Sequence, residues 1–288
     1  MILRSKWRGA LGLFGLLAMV FLGGFRAQAQ EMTAEKLIEQ HLNSIAAKDK
    51  REAIKNRMAV GTSLFQSKLP LKQAGGKAVV ASDNDNLMFI TSFNSQEYPF
   101  EKIGYFNKNI NLPFVTAGSR SPLGAFIADH ERVLSDGLFT GAISGVWPLM
   151  DPSSVRDRVK YGGTKKVGDR KAYVLEYFPK NTGSSEFSLR LYFDAENFRH
   201  LRSEYRDQIN PKQDTFGTLG RQAGVTIKLT EDFTDFRTVD GVTLPYSYSA
   251  NYLTDSNSGV FEYTWTIKIQ QYLLNQNLAP GFFSFDQK

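Results

Sequence analysis

From Phe187 to Gln270 large apolar side chains repeatedly alternate with polar ones, a period of two that fits strands with one buried and one solvated face. Phe187, Leu189, Leu191 and Phe193 point one way, and Ser188, Arg190, Tyr192 and Asp194 the other. Val225, Ile227 and Leu229 oppose Thr226, Lys228 and Thr230; Tyr246 and Tyr248 alternate with Ser247 and Ser249. Tyr263, Trp265, Ile267 and Ile269 oppose Thr264, Thr266, Lys268 and Gln270. Turn residues join such runs at hairpin spacing: Val167-Gly168-Asp169, Asp194 to Asn197, Asp240-Gly241, and Asp255 to Gly259. The pattern predicts a mostly β, α+β chain built on an antiparallel sheet. Earlier, Leu87, Phe89, Thr91 and Phe93 interleave with Met88, Ile90 and Ser92, which predicts a strand buried on both faces and entered through a turn at Asn84-Asp85.

Two stretches switch to helical spacing. Leu37, Ile38, His41, Leu42 and Ile45 recur on one face of a helix running from an N-cap at Thr33 to about Ala47. Residues 121–134 place Pro122 at a helix start and predict a second, short helix. Residues 207–224 are polar, contain glycines and exceed a tight hairpin, so they are expected to form a lid or binding loop at the rim of the sheet. No internal repeat or break in composition divides the chain.

The first thirty residues have a separate logic. Arg4, Lys6 and Arg8 precede an uncharged apolar run from Ala10 to Gly24, and Ala27-Gln28-Ala29 supplies small residues at the cleavage positions. The run is short and glycine-interrupted for a membrane span, which needs about 20 apolar residues. Residues 1–29 are therefore expected to be a signal peptide cut between Ala29 and Gln30, leaving 30–288 as a single β domain that is not an integral membrane protein. The expected compartment is the periplasm, with secretion as the alternative. The leader takes with it Arg4, Lys6, Arg8 and Arg26 and no acid, so the net charge falls from +6 to +2. With lysine and arginine scattered among acids, the 13% aromatic content has no basic groove beside it, and nucleic acid is not an expected partner. The absence of cysteine excludes thiol chemistry, disulfides and a lipidated N-terminal cysteine.

Catalytic and metal motifs are missing. His41, His130 and His200 have no metal-like spacing and read as structural residues. Gly141 to Gly145 runs G-x-x-S-G, the wrong spacing for a nucleophile elbow. Asp83 to Asn86 alternates oxygens but lacks the glycine and distal glutamate of a calcium loop. Glu97, Glu101, Glu176 and Glu204 are available as a glycosidase-type carboxylate pair, although sequence alone pairs none of them. No glycine-rich phosphate loop follows the leader, so no cofactor is expected.

Several stretches carry a resemblance. They are Ala34 to Ile38, Val60 to Gln66 (VGTSLFQ), the strand-turn-strand from Val167 (VGDRKAYVLEYFPK), Leu191 to Asp194 running into Leu201 to Glu204, and Asp235 to Pro245 (DFRTVDGVTLP). Together with the order of parts, they make the chain similar to the superfamily of periplasmic lipoprotein carriers and outer-membrane lipoprotein-sorting proteins, the LolA and LolB type. The resemblance spans most of residues 30–288. It implies a strongly curved, incompletely closed antiparallel sheet, a half-barrel, with helices covering its concave face. It implies a lipid or acyl chain bound between the two, with lipoproteins or envelope proteins as partners. The family's latching arginine aligns with no particular residue here.

The residues allow the same reading: many large apolar side chains on one sheet face either fill a core or line a cavity. The candidates for that face are Phe89, Phe93, Leu189, Leu191, Phe193, Tyr246, Tyr248, Tyr263 and Trp265. The expected function is a non-enzymatic carrier or binding protein for a lipid, an acylated protein or another hydrophobic ligand. The alternatives are a hydrolase of envelope polymers and an interaction module with a filled core.

Overall fold

The computed structural model describes residues 31–180, 187–209 and 224–285. The expected leader with its Ala29/Gln30 cleavage site, and most of the expected lid, lie outside them. Twelve strands form one sheet: β1 (Arg57–Lys68), β2 (Leu71–Ser82), β3 (Leu87–Phe93), β4 (Phe100–Phe106), β5 (Asn109–Asn111), β6 (Val159–Val167), β7 (Arg170–Tyr177), β8 (Ser188–Asp194), β9 (His200–Ile209), β10 (Val225–Val239), β11 (Val242–Ser256) and β12 (Gly259–Leu274). Their order is β5-β4-β3-β2-β1-β12-β11-β10-β9-β8-β7-β6, antiparallel at every step. The ends β5 and β6 do not pair, so the sheet stays open, as the half-barrel expectation requires. The hairpin turns fall where the Gly, Asp and Asn clusters placed them.

Ring contacts record the curvature. Phe89 on β3 and Tyr248 on β11 have three strands between them, about 19 Å across a flat sheet, yet their ring centroids are 6.2 Å apart. Bending is helped in the middle of the sheet by a register shift between Val60 and Gly61, where β1 meets β12. A Cβ on Gly61 would lie 2.1 Å from the Lys268 carbonyl oxygen, so only glycine allows this approach.

The covering elements are α1 (Ala34–Ile45), α2 (Lys48–Glu52), α3 (Pro122–Asp129), α4 (Glu131–Ser135), α5 (Pro152–Val155) and two 3₁₀ turns, Gly141–Ile143 and Pro148–Met150. Thr33 caps α1 by accepting from the Lys36 amide at 3.2 Å, and the stripe Leu37, Ile38, His41, Leu42 and Ile45 is buried. The expected second helix is two short ones, because His130 leaves helical geometry and serves as C-cap of α3 and N-cap of α4. Ser121 Oγ caps α3 through the Gly124 amide at 2.8 Å, with Pro122 in its first turn. No helix among the described residues is long and apolar enough to cross a membrane.

The inner face of the sheet and the covering elements share one apolar core. The outer face is less uniformly polar than alternation suggests. Tyr192, expected on the wet side, is buried with Ala172, Val174 and Leu201 in a second, smaller cluster. The C-terminal segment lays Leu278, Phe282, Phe283 and Phe285 against Met58, Ala81, Met88 and Ile90, which explains why β3 is apolar on both faces.

Candidate functional site: the helix-covered face of the sheet

Eight of the nine candidate cavity residues are buried, and Tyr263 is half-buried. They fall into separate neighbourhoods of one core. Phe93, Tyr263 and Trp265 gather around Phe65, with ring centroids 5.8, 6.4 and 5.5 Å from it. Phe89 and Tyr248 meet at the centre beneath Phe139 of the cover, whose ring lies 5.2 Å from that of Phe89. Phe193 contacts His41 of α1 at 4.7 Å, on the same strand as Leu189 and Leu191. Tyr246 stands apart, packed on Tyr272 at 5.3 Å with the Arg237 guanidinium 4.5 Å above its ring.

The chain from Ser121 to Met150 is fastened over this face by buried polar contacts, spaced along its length. Glu231 of β10 is fully buried; its Oε1 accepts from the Thr140 amide and the Tyr248 hydroxyl, both at 2.8 Å, and its Oε2 from the Tyr205 hydroxyl at 2.6 Å. Burial pushes its carboxyl up to about 7 against these donors. Glu101 of β4 lies beneath the start of α3, accepting from the Tyr98 hydroxyl, which itself accepts from Trp265 Nε1 at 2.7 Å. Its carboxyl too is pushed up to about 7, by burial, with Ser121 and Tyr98 opposing. Gly145 donates its amide to Ser82 Oγ at 2.6 Å. His130 places Nδ1 2.9 Å from the Phe126 carbonyl and Nε2 3.0 Å from Asp207 Oδ2.

Arg57 is the unusual member. It is 4% exposed and donates Nη1 to the Ala142 carbonyl at 2.9 Å, its Nε has no partner, and no carboxylate pairs with it among the described residues. Burial draws the guanidinium down to about 10.

His41 and His200 are packed into the core against Trp147. Trp147 Nε1 donates to His41 Nε2 at 3.3 Å, which leaves the proton on Nδ1 to donate to the Phe198 carbonyl at 3.0 Å. Burial, partly offset by that carbonyl, depresses His41 to about 4. His200 is also fully buried and is held neutral well below the ordinary range, stacked on Trp147 at 4.9 Å. No group of three or more metal-ligating side chains occurs among the described residues.

The four glutamates of the hydrolase reading do not form an acid/base pair in a cleft. Glu97 is exposed and paired with Lys72, while Glu101 is sealed under α3. Glu176 and Glu204 flank Arg190 on the outer face. Burial opposes ionisation of Glu204, but Arg206 and Lys228 outweigh it and hold the carboxyl at about 2. A catalytic acid needs the opposite shift.

Sequence reasoning missed Arg57 and Glu231 as polar anchors, although both carry a readable signal. Each is a charged residue on an inward register, Arg57 in line with Ala59 and Phe65, and Glu231 with Ile227, Leu229 and Phe233.

No protein-family model matches the chain, and no curated protein matches it. Among solved structures it is similar to a LolA superfamily protein from Nitrosomonas europaea, at 14% identity over 89% of this chain and 99% of that one, with a TM-score of 0.44. An outer membrane lipoprotein-sorting protein domain from Vibrio parahaemolyticus gives 12% identity over 86% and 95% of the two chains, with a TM-score of 0.41. A DUF1329 family protein from Desulfovibrio piger gives 11% identity over 86% and 96%, with a TM-score of 0.38.

Proposed function

We propose that this protein is an exported, non-enzymatic carrier that takes up a lipid or acyl chain between the inner face of its sheet and the segment 121–150. The observation that carries this reading is the way the cover is attached. Glu231, Glu101, Ser82 and Arg57 hold it by hydrogen bonds to single backbone or cap groups over an apolar sheet face. Buried polar contacts of this kind add little net stability compared with apolar packing, yet they are directional and re-form in one geometry. These contacts would return the cover, which also packs Phe126, Phe139 and Trp147 into the core, to one geometry after it opens. The leader-like residues 1–29 support export, and the sequence resemblance supports a periplasmic site of action with lipoproteins or other envelope proteins delivering or receiving the cargo.

A second reading, an interaction module with a permanently filled core, is favoured by one observation: Phe89, Phe193, Tyr248 and Trp265 are already sealed by protein atoms. Native mass spectrometry of protein purified from its own host, followed by lipid extraction, separates the two. The carrier reading expects co-purifying acyl species and saturable uptake of a fluorescent fatty acid by the stripped protein. Neither bound lipid nor uptake leaves the filled-core module.

A further inference from the structure

Beside the cover lies a groove of about 630 Å³, walled by α1, α2, residues 54–57 and the turn at Met150. Arg57 lines it, and so does Lys55, which is exposed and has no carboxylate partner among the described residues. Arg51 also lines the groove, but it turns one guanidinium nitrogen onto the Leu42 and Ala46 carbonyls at the end of α1.

The acids of the groove are largely spoken for. Glu52 faces Lys48 at 3.7 Å, and Glu35 is engaged with its own backbone and Thr33 at the start of α1. Glu39 is the remaining acid, against Lys55, Arg51 and Arg57. Leu42, Ile54 and Met150 supply apolar wall next to these cations. A guanidinium on the groove wall with no counter-charge among the described residues is costly for the protein alone, and a planar or tetrahedral oxyanion is the partner its geometry fits.

We propose that this groove is a head-group site: it receives the phosphate or carboxylate of an anionic amphiphile at Arg57 and Lys55, with the chain starting along Leu42, Ile54 and Met150. The assignment rests on the carrier reading and adds to it a charge preference in the cargo.

The test is calorimetric titration of the purified protein with dodecyl phosphate, dodecanoate, dodecanol and inorganic phosphate, each amphiphile below its micelle concentration. The expected result is that both anionic amphiphiles bind at least about tenfold more tightly than dodecanol, the scale of a charge-assisted contact. Inorganic phosphate binds far more weakly than dodecyl phosphate. Arg57→Met brings dodecyl phosphate to within about twofold of dodecanol, whereas Arg57→Lys keeps part of the preference. Lys55→Glu, at an exposed position, lowers the preference several-fold and carries the test alone if Arg57→Met does not fold. Equal binding of all three amphiphiles overturns the head-group site and leaves the carrier reading in place. Inorganic phosphate binding as tightly as dodecyl phosphate, or an anion preference unchanged in both Arg57→Met and Lys55→Glu, also overturns it. Failure of every amphiphile removes the carrier reading and this site with it.

Discussion

Thr140 donates its amide to Glu231 Oε1 at 2.8 Å while adopting a left-handed φ of 65°, so a strained turn of the cover and a carboxylate buried on β10 hold each other in place. The left-handed region is costly for a β-branched residue. Glu231 supplies the compensation, and its own ionisation therefore bears on how firmly the cover sits.

The share of stability that depends on Glu101 and Glu231 should fall as pH rises between about 4.5 and 7. Glu101 and Glu231 keep their protons up to about 7 in the folded protein, whereas unfolded glutamate releases them near 4.5. Over that window the native state binds more protons than the unfolded chain, so each group withdraws up to about 3 kcal/mol as pH rises. Glu231→Gln should remove one share. Its amide donates to the Tyr205 hydroxyl, which turns to the Leu138 carbonyl 3.1 Å away, the arrangement a protonated Glu231 would use. Thermal melts should find Glu231→Gln more stable than wild type at pH 8 and close to it at pH 5. A constant gap across that range would count against the assignment.

His41 and His200 act with the opposite sign. Both are buried neutral, burial drawing His41 down to about 4 and His200 well below its ordinary range, while unfolded histidine protonates near 6.5. Between about pH 4 and 6.5 the unfolded chain holds the extra protons at these two sites, so their share of stability rises with pH and offsets the fall from Glu101 and Glu231. His200→Phe keeps a ring against Trp147 and removes one titration. The difference in melting temperature between pH 5 and pH 8 should therefore shift toward greater relative stability at pH 5. An unchanged difference would mean that His200 already titrates normally.

Gly141 should tolerate no side chain. It has a φ of 49°, and a Cβ there would lie 2.8 Å from both His200 Nδ1 and the Phe233 ring. Gly141→Ala should cost at least about 2 kcal/mol in denaturant unfolding. Gly168→Ala, at a hairpin turn with a similar φ of 58° and open space around it, should cost about 1 kcal/mol. Equal costs would show that the cover is not tightly seated on His200.

N-terminal sequencing of the protein recovered from its host should begin at Gln30. A chain retaining Met1 would refute export by cleavage.

Much of the sheet could be read from the sequence because alternation is a direct imprint of one-sided burial: Leu189, Leu191 and Phe193, and Trp265, Ile267 and Ile269, all face the core. Strands β1 and β2 were harder, since Gly61, Ser63, Gly75 and Gly76 dilute the apolar period at the bulge and the tight strand approaches. The outer-face burial of Met88 depends on Phe283, far along the chain, and that of Tyr192 on Ala172, Val174 and Leu201 of the neighbouring strands, which alternation along β8 alone does not reveal. Arg57 bonding to Ala142, and Glu231 to Thr140, are equally non-local. The polar half of the candidate site therefore appeared only with the fold.

The pairing of β1 with β12 has a kinetic consequence. Phe65 and Trp265 are register partners about 200 residues apart, and this seam runs through the middle of the sheet. The ladder from β5 to β1 and the ladder from β6 to β11 each grow by local hairpins, but neither finds its central neighbour until the last strand is available. During synthesis the inner edge of β1 thus stays unpaired while about 200 further residues are added. A polypeptide that completes its fold only at its final strand remains threadable while it is being made.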